Sequence, residues 1–269
     1  PALGLDAPTR GILVHAALER LWSELRSHRR LCDFTEDALR TRVSEAVDQS
    51  LSDLQQQSGA GRATRFYALE RQRLADLLLA CLVLERRRAP FEVVALEEER
   101  ALVVGGLTLR VRVDRIDRLL DTERYIIIDY KTNKPAAPAW YDKQDKRLEE
   151  PQLPLYSVCN QENASPAAVL LAHVRHGGMQ YRGAAVADAL VPGLKCWADT
   201  KEGKAYGSWE ALLAYWKTAL NDLAKEIQTG WATVDPKSYP GTCEYCELST
   251  LCRKHEVFEG RPRVSEDDA

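Results

Sequence analysis

The chain has 269 residues, 45% of them hydrophobic, which is enough to bury a core in one large domain or two modest ones. Its 37 Lys and Arg against 40 Asp and Glu give a net charge of −3, so any nucleic-acid partner has to meet a local basic patch rather than a basic molecule. Apolar runs such as Leu77 to Leu84 are far shorter than the roughly 20 residues of a membrane span, and no basic, apolar leader opens the chain, which points to a soluble cytoplasmic protein with no membrane partner. Because the chain opens at Pro1 and its single methionine is Met179, it reads as part of a longer polypeptide.

The first predicted element is a helix with Thr9 as its N-cap and apolar positions at helical spacing through Trp22, carrying His15 and Glu19 one turn apart. Helical stretches over 35–57 and 64–87 follow, separated by the loop Ser58-Gly-Ala-Gly61, and read as an insertion or cap spanning 34–90. From Phe91 the period changes. Residues 91–104 and 107–119 read as strands joined by a Gly105-Gly106 hairpin turn, and 125–131 as a third strand. A proline-containing, charged loop leads to Pro151, which suits the first turn of a helix reaching about 160. Another strand is expected over 167–174, and an amphipathic helix over 208–229 carries Trp209, Leu212, Leu213, Trp216, Leu220 and Leu223. The basic clusters that could meet phosphate are Arg86 to Arg88, Lys143 with Lys146 and Arg147, and Arg253 with Lys254.

Two strands carry the chemistry. The second ends Val111-Arg-Val-Asp-Arg-Ile-Asp117 and the third reads Ile126-Ile-Ile-Asp-Tyr-Lys131. Strand alternation puts Asp129 and Lys131 on one face, and Asp114 on the face opposite Asp117. Charges next to three isoleucines need a partner or a metal to offset their desolvation. A plain Asp129–Lys131 salt bridge is one reading. The other is phosphodiester hydrolysis, in which carboxylates hold Mg²⁺ or Mn²⁺ against the charge of the transition state while an ammonium orients the nucleophile.

Asp114 followed by Asp129-Tyr130-Lys131 resembles the PD-(D/E)XK nuclease superfamily, and further motifs are similar to its RecB-like and AddB-like exonuclease branch. Gly11, His15, Leu18 and Glu19 resemble the helical histidine motif, Asp114-Arg-Ile-Asp117 the GxxDRxD strand motif, and Gln152-Leu-Pro-Leu-Tyr156 the QxxxY helix motif. Val111 stands where the branch has glycine. The resemblance implies a single α/β nuclease domain over 1–269, with a central mixed sheet flanked by helices, a restriction-endonuclease-like core over 91–175, and a cysteine-containing tail over 236–257. It implies metal ligation by His15, Asp114, Asp129 and the carbonyl of Tyr130, with Lys131 as the catalytic lysine and Gln152 and Tyr156 lining the site. Glu98 or Glu99 is a candidate assistant. Asp117 reads as the structural partner of an arginine. The implied setting is DNA cleavage, by an exonuclease, in repair or recombination, beside a helicase-like subunit or domain, since this chain has no phosphate-binding loop of its own.

Seven cysteines, an odd number with no sign of secretion, argue against a disulfide framework, and Cys81 and Cys159 read as small buried hydrophobes. Cys243, Cys246 and Cys252 form C-x2-C-x5-C, which in the AddB-like branch resembles three of four ligands to a [4Fe-4S] cluster, the fourth lying upstream of Pro1. Adding His255 gives a zinc set instead. Two rival readings of the whole chain remain: a catalytically silent nuclease fold that grips DNA or a partner, and a structural module built on a zinc-bound tail.

Overall fold

The computed structural model describes residues 5–58, 64–133, 140, 147–148, 150–159, 165–175, 177, 179–237, 239–254 and 256, without the side chains of 57, 58, 64 and 65. Helix α1 (Ala7–Leu25) buries Leu13, Val14, Ala17, Leu18, Leu21, Trp22 and Leu25, a single stripe at three- and four-residue spacing. Its cap is Asp6, not Thr9: the Asp6 side chain accepts the Thr9 amide at 2.9 Å, and Pro8 fills the first turn, where its missing N–H costs nothing. After the short α2 (His28–Asp33), helix α3 (Glu36–Ser58) packs on α1 and α4 (Thr64–Glu85) packs on α3. The 34–90 segment thus contributes Leu39, Val43, Val47, Leu74 and Leu78 to the same core that α1 enters.

Five strands follow: β1 (Phe91–Val104), β2 (Leu107–Leu119), β3 (Tyr125–Lys131), β4 (Ala168–His173) and β5 (Gln180–Ala185). They lie in sequence order across one sheet, antiparallel throughout except for the parallel pair β3 and β4. Gly105 and Gly106 take φ of 53° and 85°, the two left-handed positions that a tight two-residue hairpin requires. A parallel pair needs a crossover, and α5 (Gln152–Cys159) lies within it. Helices α1, α3 and α4 cover one face; α5 and α7 (Trp209–Gln228), with Trp140 and Trp216, cover the other. Covered on both sides, the central run Ile126–Tyr130 and all of β4 are buried. The result is a mixed five-stranded α/β sheet with flanking helices, of restriction-endonuclease type. Helices α6 (Lys201–Tyr206) and α8 (Ser249–Cys252), with short 3-10 helices over Trp197–Asp199 and Gly241–Cys243, complete the described elements. No helix among the described residues is long and apolar enough to cross a membrane.

Under the sheet lies a fully buried ionic cluster. Arg115 reaches Asp117 at 2.6 Å and Glu85 at 3.1 Å, and Arg88 reaches Glu85 at 2.8 Å and Asp117 at 2.7 Å, with all four side chains 0% exposed. The Arg115 guanidinium also donates to the Tyr130 hydroxyl at 3.2 Å and stacks 3.7 Å from the Trp22 ring, while the Tyr181 hydroxyl donates to Glu85. Asp117 is therefore an arginine partner, as its strand face implies. The cluster overturns Arg86 to Arg88 as a phosphate patch: Arg88 is interior, Arg86 is spent on the carbonyls of Leu31 and Phe34, and only Arg87 is exposed. Lys143 and Lys146 lie outside the described residues.

Two guanidiniums and two carboxylates balance, so deleting one member leaves an uncompensated buried charge. Arg115→Met is expected to lower the unfolding free energy by about 3–5 kcal/mol in urea titration, against a change within about 0.5 kcal/mol for Arg87→Met. Equal effects for the two would show the cluster contributes no stability.

Candidate active site

Strands β2 and β3 pair from Arg118/Tyr125 to Arg115/Ile128, and no pair follows. Beyond that point β2 stays with β1 and β3 stays with β4, so the two open into a fork. Asp114 occupies it: its Oδ2 accepts the Tyr130 amide at 2.7 Å, taking over the next hydrogen bond of the ladder. From α1, His15 enters the same fork, with Nε2 3.1 Å from the Tyr130 carbonyl oxygen and Nδ1 3.6 Å from Asp114 Oδ2.

The fourth group is Glu97. Its Oε1 lies 3.1 Å from His15 Nδ1 and its Oε2 2.8 Å from Arg112 Nε. Among the described residues, His15, Glu97 and Asp114 form the one group of three possible ligand atoms all within 4.8 Å of one another. The anticipated Glu98 and Glu99 are instead exposed, Glu98 pairing with Arg100 at 3.0 Å. The reason is irregularity: the register slips between Val93 and Ala95, and Glu97 itself sits at φ 43°, a left-handed conformation a non-glycine residue holds only when its surroundings enforce it. Position 97 was thereby turned toward the fork, and plain alternation along β1 gave no signal of it.

Asp129 and Lys131 do share a face, with Lys131 Nζ 2.7 Å from Asp129 Oδ2. That buried oxygen has an ion-pair neighbour but no hydrogen bond of sound geometry. Asp129 stands beside the group of three rather than within it. Gln152 donates to the Tyr156 hydroxyl at 3.0 Å, which donates to the Arg112 carbonyl at 2.7 Å, so Tyr156 braces β2 two residues before Asp114. Gln152 also borders a pocket of about 180 Å³ together with Lys131, Trp140 and Leu171. A further residue that local spacing did not mark is His173, the register partner of Lys131, 2% exposed and with neither ring nitrogen in a hydrogen bond of sound geometry.

Desolvation and the neighbouring Asp129 push the Asp114 carboxyl up to about 6, and desolvation raises Asp129 despite its lysine. Burial lowers the proton affinity of His15, but the Glu97 hydrogen bond and the charges of Asp114 and Glu97 outweigh it, so its pKa is raised. Glu97, Asp114 and Asp129 meet Lys131 and Arg112, so the site holds one carboxylate more than its lysine and arginine balance. An imidazole, carboxylate oxygens and a carbonyl oxygen suit a Mg²⁺ or Mn²⁺ ion, and the unsatisfied Asp129 oxygen is the orphan such an ion would complete. The residues present fit the metal.

The cysteine tail is different. Cys243 and Cys252 are half-exposed and Cys246 is exposed, all three carry free thiols, and their sulfurs do not draw together within 4.8 Å. His255 lies outside the described residues. Cys81 and Cys159 are buried, as their apolar neighbours implied.

The chain matches the family model described as PD-(D/E)XK nuclease superfamily over residues 2–253. No curated protein matches it significantly. It is similar to a solved structure described as "Crystal structure of SSO0001", at 16% identity and a TM-score of 0.34, over 91% of this chain and 84% of that one.

The folded pKa of Asp114, about 6, lies above its ordinary 3.8, so the folded state holds this proton more tightly and its stability falls as pH rises between those values. Metal-free Asp114→Asn protein is therefore expected to be about 1–3 kcal/mol more stable than the parent at neutral pH, and to gain no thermal stability from Mn²⁺. Glu97→Gln should weaken Mn²⁺ binding at least about tenfold by calorimetry; undiminished affinity would remove Glu97 from the site.

Proposed function

The chain belongs to the PD-(D/E)XK nuclease superfamily, whose members use divalent metals, and we propose that it is an Mg²⁺- or Mn²⁺-dependent deoxyribonuclease of RecB-like type, acting as an exonuclease in DNA repair or recombination. The observation that carries this reading is the convergence of His15, Glu97, Asp114 and the Tyr130 carbonyl in the β2–β3 fork, with Asp129 and Lys131 beside it. The branch assignment is supported by residue order: His15, then Asp114-Arg-Ile-Asp117, Asp129-Tyr-Lys131 and Gln152 to Tyr156.

His15, Asp114, Asp129 and the Tyr130 carbonyl, with Glu97 added, would hold the cation. When bound, it supplies neutralisation of the charge that gathers on phosphoryl oxygens and acidifies an attacking water. The protein's own groups do the rest. The amine of Lys131, partly open to solvent and steadied by Asp129, is placed to orient a nucleophile or meet developing negative charge. Gln152 stands where it can contact the strand beside Lys131. Tyr156, its hydroxyl committed to Arg112, holds the β2 segment that carries Asp114.

The single-domain organisation over 1–269, a cytoplasmic setting and a helicase-like partner supplying a motor belong to the same proposal. So does a [4Fe-4S] cluster on Cys243, Cys246, Cys252 and an upstream cysteine, supported by their spacing. Iron content and visible absorbance of anaerobically purified full-length protein test it; zinc without iron would refute it.

With Mg²⁺ or Mn²⁺, linear DNA should be degraded and end-blocked DNA spared, and chelation should stop the reaction. Asp129→Ala and Lys131→Ala should each reduce the rate at least about a hundredfold with an unchanged circular dichroism spectrum. Full activity in both variants would refute the assignment, and DNA binding without cleavage by any divalent ion would favour the silent binding module.

A further inference from the structure

Because β3 and β4 are parallel, their C-terminal ends emerge side by side, and the start of α1 packs over that end: a Cβ built on Gly11 would lie 3.6 Å from the Thr132 hydroxyl. A pocket of about 200 Å³ opens there, with Arg10, Arg73, Arg175 and Thr132 on its wall and apolar side chains for the remainder. At a liquid-water share of about 30 Å³, it has room for roughly six waters, or for one tetrahedral oxyanion with part of its hydration.

Its charges are unbalanced. Glu70 takes Arg10 Nη2 at 2.9 Å on one oxygen and Arg73 Nε at 2.7 Å on the other, which fixes both guanidiniums but engages only part of each. Arg10 Nε and Arg73 Nη2 are left buried with no hydrogen-bond partner. Arg175 has no ion pair among the described residues. Three cations thus face one carboxylate, and orphaned guanidinium N–H groups are the donors that oxyanions satisfy in paired geometry. The field of this end of the sheet is felt next door: burial first, then the charges of Arg182, Lys131 and Arg175, lower the pKa of His173, against a raising contribution from the Asn133 backbone.

Placement selects the ligand. Arg10 precedes His15 by five residues on α1, about 7–8 Å along the helix axis at 1.5 Å per residue. That is on the scale of one backbone repeat between adjacent phosphates of a strand, which is about twice the roughly 3.4 Å axial rise per nucleotide. We propose that Arg10, Arg73, Arg175 and Thr132 form a subsite for a phosphate of the bound DNA strand, neighbouring the bond that is cut. The subsite deepens the nuclease reading and rests on it. None of these arginines belongs to a basic run in sequence; chain folding assembles them.

Binding of short single-stranded oligonucleotides to the full chain, measured by fluorescence anisotropy in chelator over a range of salt, separates the subsite from the chemistry. Arg175→Gln, which breaks no ion pair among the described residues, should weaken binding about tenfold and shrink the slope of log affinity against log salt by about 0.7. Arg73→Gln should do likewise, whereas exposed Arg87→Gln should change neither. Strands with a 5′-phosphate, with a 5′-hydroxyl and closed into a circle identify the source: loss of a 5′-phosphate preference marks a terminal phosphate, and equal loss on all three marks an internal one. Unchanged affinity and slope in both pocket variants, or an equal loss for Arg87→Gln, would overturn the proposal. Mn²⁺ cleavage by the parent chain is scored separately, so arginine-dependent binding without cutting would sink the nuclease reading and leave the subsite standing.

Discussion

One hydrogen bond organises the centre of this molecule: the Tyr130 amide gives its proton to Asp114 rather than to the backbone of β2. Had the ladder continued, the two strands would have closed over the position that His15 enters. Because it stops at Arg115/Ile128, a buried carboxylate, the Tyr130 carbonyl and a helix-borne imidazole meet in the gap. Buried backbone groups must find partners, so the fork persists only while Asp114 serves the orphaned amide. The residue that would bind a cation thereby also maintains the opening in which it binds.

Alternation along the same strands separates stability from chemistry. Asp114 enters the fork while Arg115 and Asp117 enter the ionic cluster; Asp129 and Lys131 flank the site while the Tyr130 hydroxyl meets Arg115. In the cluster, positive and negative charges match and each has an opposite charge at bonding distance, with Arg88 Nε and Nη2 outside hydrogen bonds of sound geometry. In the fork they do not match, and burial raises the proton affinity of the Asp114 and Asp129 carboxyls above its ordinary level. Strain accumulates on that side as well, in the left-handed backbone of Glu97. A balanced interior thus supports an unbalanced site a single residue away, and only the unbalanced one has a carboxylate left for a cation to offset.

Much was legible locally. Apolar spacing exposed the helix of His15, the turn glycines Gly105 and Gly106 marked the hairpin, and three isoleucines before Asp129 marked a buried strand. Helix boundaries were close where a side chain caps the end, as Ser208 does for α7. Strand β5 escaped notice because Gln180-Tyr-Arg-Gly-Ala-Ala185 has weak strand character; it exists because Gly183 lets its backbone approach Val169, where a Cβ would meet the carbonyl oxygen at 2.0 Å. Arg88 looked like part of a surface run because Asp117, unlike the nearby Glu85, is recognisable as its partner only once β2 lies under the end of α4.

Short-range spacing by itself determined the helix of His15, the first strands and the shared face of Asp129 and Lys131, because a period of two or of 3.6 is a property of neighbouring residues, while the resemblance of motif order to the PD-(D/E)XK superfamily supplied the class of fold and marked His15, Asp114 and the Gln152–Tyr156 helix as site candidates. Only the tertiary structure decided that Glu97 rather than its neighbours enters the fork, that two arginines and two acids close a hidden cluster, and that Arg10, Arg73 and Arg175 share a pocket. Those outcomes depend on a register slip, a strand pair that opens and helices packed across a sheet, which bring together side chains that no local period relates.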